Sequence, residues 1–130
     1  MDRWIQVLAT MLFVLLTFYP EVHAADVPYL SGGVGADARE ELLAKEKEYN
    51  LKIITAEKAG DYLANVKVVI ESARKEQMLD TTMEGPILLA KLAPGTYTIR
   101  AISDGQTLTR TVTIPVRGLR QVDVRWNMTK

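Results

Sequence analysis

The sequence predicts a mainly β domain: an antiparallel sandwich of seven strands with one helix on its N-terminal side, following a leader that is removed. Three observations carry this expectation. From residue 51 onward, short stretches of alternating apolar and polar residues recur about every ten residues, each closed by a turn signal. Only one segment, around residue 40, has helical spacing. Ahead of both, residues 4–18 form an almost unbroken apolar run.

That run has the three parts of an export signal. Met1-Asp2-Arg3 is a short n-region, residues 4–18 are the apolar core, and Tyr19-Pro20-Glu21 breaks it. Val22-His23-Ala24 then presents small or aliphatic residues where a signal peptidase reads, so cleavage is expected before Ala25. The run is shorter than the ~20 residues that span a bilayer, so no stable membrane anchor is expected after cleavage. The chain has no cysteine, which excludes lipid attachment through one. Residues 1–24 are thus assigned as signal peptide, 25–50 as a Gly-rich lead-in and helix, and 51–130 as the sandwich domain. A cysteine-free chain in an oxidising compartment suits the bacterial periplasm better than a disulfide-stapled extracellular module. The expected location is periplasmic or secreted.

The 16 basic and 16 acidic residues balance. Loss of residues 1–24 removes Asp2, Arg3 and Glu21 and leaves a slight positive excess. Such a charge gives no electrostatic reason to expect nucleic acid as a partner.

Along the cleaved chain, residues 25–35 contain Pro28 and Ser31-Gly32-Gly33-Val34-Gly35 and read as an irregular lead-in. Asp37 followed by Glu40 has capping-box spacing, which predicts a helix from there to about Tyr49. Ala38, Leu42 and Tyr49 share one face of it, and Asn50 is a helix-stop residue. Residues 51–56 are β-rich, and 57–61 form a turn. Residues 62–72 hold a strand in which Val66, Val68 and Ile70 alternate with Lys67, Val69 and Glu71. A charged turn at 74–77 leads to a short edge strand over 78–83, closed by Glu84-Gly85-Pro86. Residues 87–92 are an apolar strand. Pro94-Gly95 has the residue types of a type II turn. Tyr97, Ile99 and Ala101 then alternate with Thr98 and Arg100. Asp104-Gly105 is the strongest hairpin signal in the chain. Beyond it, Leu108, Arg110, Val112 and Ile114 interleave with Thr107, Thr109, Thr111 and Thr113, the threonines marking a solvated sheet face. Arg117-Gly118 turns the chain into a last strand carrying Val122, Val124 and Trp126. Arg110 falls in apolar register, so it must lie near an edge or pair with a carboxylate, because a lone buried charge is costly.

Leu92-Ala93-Pro94-Gly95-Thr96-Tyr97-Thr98-Ile99 resembles the L-x-P-G-x-Y strand opening of carboxypeptidase regulatory-like domains. Leu63-Ala64-Asn65-Val66-Lys67-Val68 resembles the "small residue, x, V-x-V" strand that precedes it there, and Asp104-Gly105 with its Thr-rich strand also fits. The resemblance covers residues 62–126 and implies a transthyretin-like (prealbumin-like, Ig-like) sandwich. The opening differs: the G-x-V-x-D strand of those domains is replaced by the helix and residues 51–56. The chain from residue 25 onward is also similar to small exported proteobacterial proteins of this kind. The resemblance implies a fold and brings no catalytic or binding residues with it.

Histidine chemistry is confined to His23, inside the signal. After cleavage the domain has neither His nor Cys, which removes Ser-His-Asp and Cys-His sites and the common zinc sites. No D-x-[DN]-x-[DN]-G calcium loop is present. No catalytic residue, metal or cofactor is therefore expected. Gly33-Val34-Gly35-Ala36-Asp37-Ala38 matches G-x-G-x-x-A, but a preceding strand within a βαβ unit is lacking and Asp37 would oppose an anion. The run reads instead as a linker, or as a loop forming part of a binding surface. Glu40, Glu41, Glu46 and Glu48 interleave with Lys45 and Lys47 as a solvated helix face rather than a catalytic pair.

Tyr97 and Trp126 fall in core register, whereas Tyr29 and Tyr62 sit beside turns. Arg100, Arg110, Arg120 and Arg125 project from strands; a basic strip would suit anionic envelope polymers, and solvated strand positions explain them equally well. The candidate binding residues are Tyr29, Tyr62, Arg100 and Arg110. The expected class is a non-enzymatic binding or interaction module that contacts another envelope protein or a cell-wall saccharide, with edge-strand pairing as one mode. The rivals are a hydrolase using carboxylates, tyrosines and arginines, and a purely structural envelope protein. The oligomeric state is left open.

Overall fold

The computed structural model describes residues 27–127. The signal assigned to residues 1–24, with His23 in it, lies outside that range. The described chain runs β1 (Tyr29–Gly32), α1 (Ala36–Leu43), a 3-10 turn (Glu46–Glu48), β2 (Leu51–Glu57), β3 (Lys67–Ser72), β4 (Gln77–Thr82), β5 (Ile87–Ala90), β6 (Gly95–Ser103), β7 (Gln106–Ile114) and β8 (Arg120–Trp126). Two four-stranded sheets result. Sheet 1 has the order β1-β5-β2-β8 and sheet 2 the order β4-β3-β6-β7.

The mainly β, two-sheet architecture agrees with the sequence, but three details differ. There are eight strands rather than seven, because the lead-in supplies β1. Its residues pair with β5 from Tyr29↔Ala90 to Gly32↔Ile87. β5 is buried along its whole length, so its backbone needs a strand on each side. β1 fills one side and β2 the other. The second difference is that sheet 1 is mixed: β2 and β8 run parallel, from Leu51↔Arg120 to Glu57↔Trp126.

Third, the helix is shorter than its periodicity suggested. Gly35, with φ of 86°, takes the N-cap position, and no side chain caps the helix. Asp37 therefore lies inside the first turn, where it favours the helix dipole. Leu42 is the buried residue of the helix. The chain then tightens through Lys45 N–H to Leu42 O into the 3-10 turn, which carries it to β2. Asn50 does not cap the helix. Its side chain pairs with Leu92, as described below.

Smaller corrections follow the same logic. The strand expected over 62–72 begins at Lys67; ahead of it Asn65 is left-handed at φ 60°, and Tyr62 makes only an isolated bridge to Ala56. Gly95 has φ of 154° and opens β6 opposite Ile114, so it lies in the strand and far from the φ near 80° that the third residue of a type II turn takes. Asp104 and Gly105, at φ 52° and 76°, do form the two-residue type I′ hairpin loop between Ser103 and Gln106.

The inner faces of the sheets meet in one apolar core. Leu51, Ile53, Leu88, Val124 and Trp126 from sheet 1 pack with Val68, Ile70, Tyr97, Ile99 and Ile114 from sheet 2. Thr55 is fully buried among them, and its hydroxyl donates to Leu63 O at 2.8 Å. A second cluster lies on the outer face of sheet 1, where Leu42 packs on Ile87 and Leu89 with Leu30, Tyr49 and Ile54 around them. The helix thus covers sheet 1. Among the described elements, no helix covers sheet 2.

Candidate functional site

The outer face of sheet 2 follows from register. Tyr97, Ile99 and Ala101 of β6 point into the core, so Thr96, Thr98, Arg100 and Ile102 point out. On β7, Val112 and Ile114 are buried, which turns Thr107, Thr109, Thr111 and Thr113 outward. The pairing sets these side chains in ranks: Thr96 opposite Thr113, Thr98 opposite Thr111, Arg100 opposite Thr109 and Ile102 opposite Thr107. The Thr96 and Thr113 hydroxyls lie 3.3 Å apart, within hydrogen-bond distance. Along β7 the threonines repeat every two residues, about 6.8 Å. β3 adds Lys67, Val69 and Glu71 to the same face.

Two ion pairs cross this face. Arg100 on β6 is hydrogen-bonded to the Glu71 carboxylate on β3. Lys67 on β3 lies 4.0 Å from Asp80 on β4. The Arg100 side chain is 40% exposed, so its charge is held in place while part of the guanidinium still faces solvent. The result is a surface of ranked hydroxyls beside two paired cations, Arg100 and Lys67, with Val69 and Ile102 between them. Threonine suits both roles here, because its branched Cβ favours strand and its hydroxyl both donates and accepts.

The four candidate residues named from sequence do not converge. Arg100 is at the centre of this face. Arg110 is on β7, the edge strand of the same sheet, where it is exposed and donates to Thr109 O at 3.0 Å; of the two placements open to it, the edge is the one realised. Tyr29 closes the seam between the sheets, its hydroxyl accepting from Thr81 Oγ1 at 3.2 Å. Tyr62 is 55% exposed beyond β2, with the Arg39 guanidinium 5.4 Å from its ring centre, a cation–π distance. Arg120 and Arg125 lie on β8 in sheet 1, so the arginines do not form one strip.

Arg39 was not legible as a partner of Tyr62, since helix and loop meet only through the fold. Glu71 was likewise hidden, because Arg100 lies 29 residues away from it. The one signal available was that both sit on outward strand positions.

Open grooves also lie among the described residues. One, of about 300 Å³, lies against the β3–β4 turn and the start of β6, and is lined by Arg74, Glu76, Thr96 and Tyr97 among others. The Tyr97 hydroxyl is already committed: it donates to Ala93 O at 2.6 Å, and burial pushes its pKa up. A tyrosine so held is a structural corner rather than an acid–base group. The second groove, of about 420 Å³, lies beside the 3-10 turn and the β7–β8 loop. Among the described residues no cluster of three or more acidic or histidine side chains is arranged to hold a metal. No described helix is long and apolar enough to cross a membrane.

No protein-family model matches the chain, and no curated protein matches it either.

Proposed function

We propose that the protein is a non-enzymatic binding module of the bacterial cell envelope, exported through a cleaved signal and built on a prealbumin-like sandwich. Its partner is a cell-wall saccharide that lies on the outer face of sheet 2. The observation that carries this is that face, which no described helix covers and where ranked threonine hydroxyls stand beside the Arg100–Glu71 pair. A polymer rich in hydroxyls and carboxylates offers matching donors and acceptors, and Arg100 supplies the charge-assisted contact.

Strand addition at an edge is less well supported, because each edge carries a device that discourages it. β1 is only four residues long. β4 is irregular, with a register shift opposite Ile70 and Glu71. β7 sets Arg110 among its core-facing positions, and β8 carries Arg120, Asp123 and Arg125. The prealbumin-like assignment rests on the motif resemblance. Its Pro94-Gly95-Thr96-Tyr97 segment falls at the start of β6, and Asp104-Gly105 forms the β6–β7 turn.

The test is retention of the chain from Ala25 on insoluble cell-wall sacculi. Thr98→Val with Thr111→Val removes two paired hydroxyls while keeping strand-favouring, branched side chains. The expected result is retention by the parent chain and a loss of roughly tenfold in the double variant, about one hydrogen bond's worth or more. Equal retention of both chains, or none of the parent, would refute the proposal.

A further inference from the structure

The two ends of the sandwich differ in charge although the whole chain is neutral. At one end Glu57, Asp61, Glu84 and Asp104 stand among Lys58, Lys67, Arg39 and Arg125, so charges of both signs mix there. At the other, the β7–β8 loop meets the 3-10 turn and the end of β5. Val116 there is 84% exposed and Leu119 36%. With Tyr49, Lys47 and Lys91 they line the open groove of about 420 Å³. Arg117 and Arg120 interleave with the two apolar residues and are exposed, as is Lys45 on the preceding turn. The acidic groups lining this groove are Glu46, whose carboxylate is 2.5 Å from Lys52, and the exposed Glu48; Glu76 stands at the same end on the β3–β4 turn, with Arg74 and Lys75 beside it.

The chain also enters the fold at this end. Lys91 N–H donates to Pro28 O at 3.0 Å, which brings Val27 to the end of β5, where it packs against the main core. Only residues 19–26 separate Val27 from the apolar run over 4–18.

We propose that this cationic end docks on an anionic lipid bilayer surface. Val116 and Leu119 enter the headgroup boundary, and Lys47, Lys91, Arg117 and Arg120 meet the lipid phosphates. Apolar tips flanked by basic residues are the chemistry of interfacial attachment, and each basic residue near an anionic surface adds to it. Docking through this end leaves the sheet 2 face free, so the proposal stands independently of the saccharide partner.

The test is co-sedimentation with phosphatidylglycerol and with phosphatidylcholine vesicles. The chain from Ala25 serves, because residues 27–127 contain all eight strands and both clusters. It should partition onto phosphatidylglycerol vesicles at low salt, only weakly onto phosphatidylcholine, and less as salt screens the charges. Arg117→Glu with Arg120→Glu should reduce partition by at least roughly tenfold, and Val116→Asp should also reduce it. Lys58→Glu with Arg125→Glu makes the same change in net charge at the far end and, compared at about 0.1 M salt where screening confines charge effects to about 10 Å, should leave partition within about twofold. A matching thermal transition shows that each variant is folded. Absence of partition, equal partition on both lipids, or equal losses in the near-end and far-end variants overturns the proposal. Release by soluble glycerol phosphate also overturns it, since the site would then take a free phosphate group rather than a surface.

Discussion

The side chain of Asn50 pairs with the backbone of Leu92 as a neighbouring strand would. Its Nδ2 donates to Leu92 O at 2.7 Å, and its Oδ1 accepts from Leu92 N–H at 2.9 Å. The Asn50 backbone also accepts from Arg120 N–H and donates to Ala90 O. One residue thereby joins the ends of β5, β2 and β8. Asn50→Ala should cost about 2–3 kcal/mol, since it leaves two partly buried backbone groups without partners. For a domain of this size that is a fall in melting temperature of about 10 °C or more. Asn50→Asp should be no better, because a second acceptor would then face Leu92 O. Thermal unfolding of both variants checks this.

Tyr97→Phe should lower stability by about 1–1.5 kcal/mol at neutral pH through loss of the bond to Ala93 O. It should also change the alkaline limit. Burial raises the folded-state pKa of Tyr97 above its ordinary value of 10.0. The folded state therefore holds the phenolic proton more tightly than the unfolded chain does. That contribution is complete below about pH 10 and is lost as pH rises through the folded-state pKa. Urea midpoints on either side of pH ~10 should fall less steeply for Tyr97→Phe than for the parent.

Gly85→Ala should displace β1. A Cβ at Gly85 would stand 2.3 Å from Gly32 O and 2.4 Å from Gly32 C. Both are backbone atoms, so no rotamer change relieves the clash, and overpacking of this kind costs about 1–3 kcal/mol or more. Hydrogen exchange should show early loss of protection in β1, while β3 and β6 remain protected.

Arg110→Ile should leave the monomer fold intact and promote association. Arg110 sits in the core-facing register of an edge strand, where a charge blocks pairing with a further strand. Replacing it gives β7 an unbroken apolar row, with the threonines on the other side. Light scattering as a function of concentration should show self-association that the parent lacks.

Arg100→Ala should separate stability from binding. Its ion pair with Glu71 is partly solvent-exposed, and such pairs contribute about 0–1 kcal/mol. The melting temperature should therefore move by only a few degrees. Retention on sacculi should fall clearly, because the cation at the centre of the proposed face is gone.

Local chemistry made much of the fold legible. The Asp104-Gly105 loop follows from residue type alone. So do the alternating rows Tyr97-Ile99-Ala101 and Val122-Val124-Trp126 and the burial of Tyr97 and Trp126. What escaped depends on pairing between distant segments. Tyr29–Gly32 lacks the alternating apolar pattern of a strand and becomes one only because β5 offers an edge. The parallel contact between Leu51 and Arg120 leaves no trace in either segment. Of the site, Arg100 and the outward threonines were readable from strand periodicity. The helix that covers sheet 1 and leaves sheet 2 open was not, because helical spacing does not say which surface the apolar stripe will meet.

The mixed sheet also orders events in time. Sheet 2 contains two hairpins, β3–β4 and β6–β7, each made of strands that are consecutive in the chain. Sheet 1 has no such shortcut. β1 waits for Ile87–Ala90, and β2 has no neighbour on its other side until Arg120–Trp126 is present. Trp126, which fills the core and ties β8 to β7 through Gln106 O, arrives with the last strand. The core is therefore complete only in a chain that reaches residue 126: the last strand completes sheet 1, and its tryptophan fills the space between the two sheets.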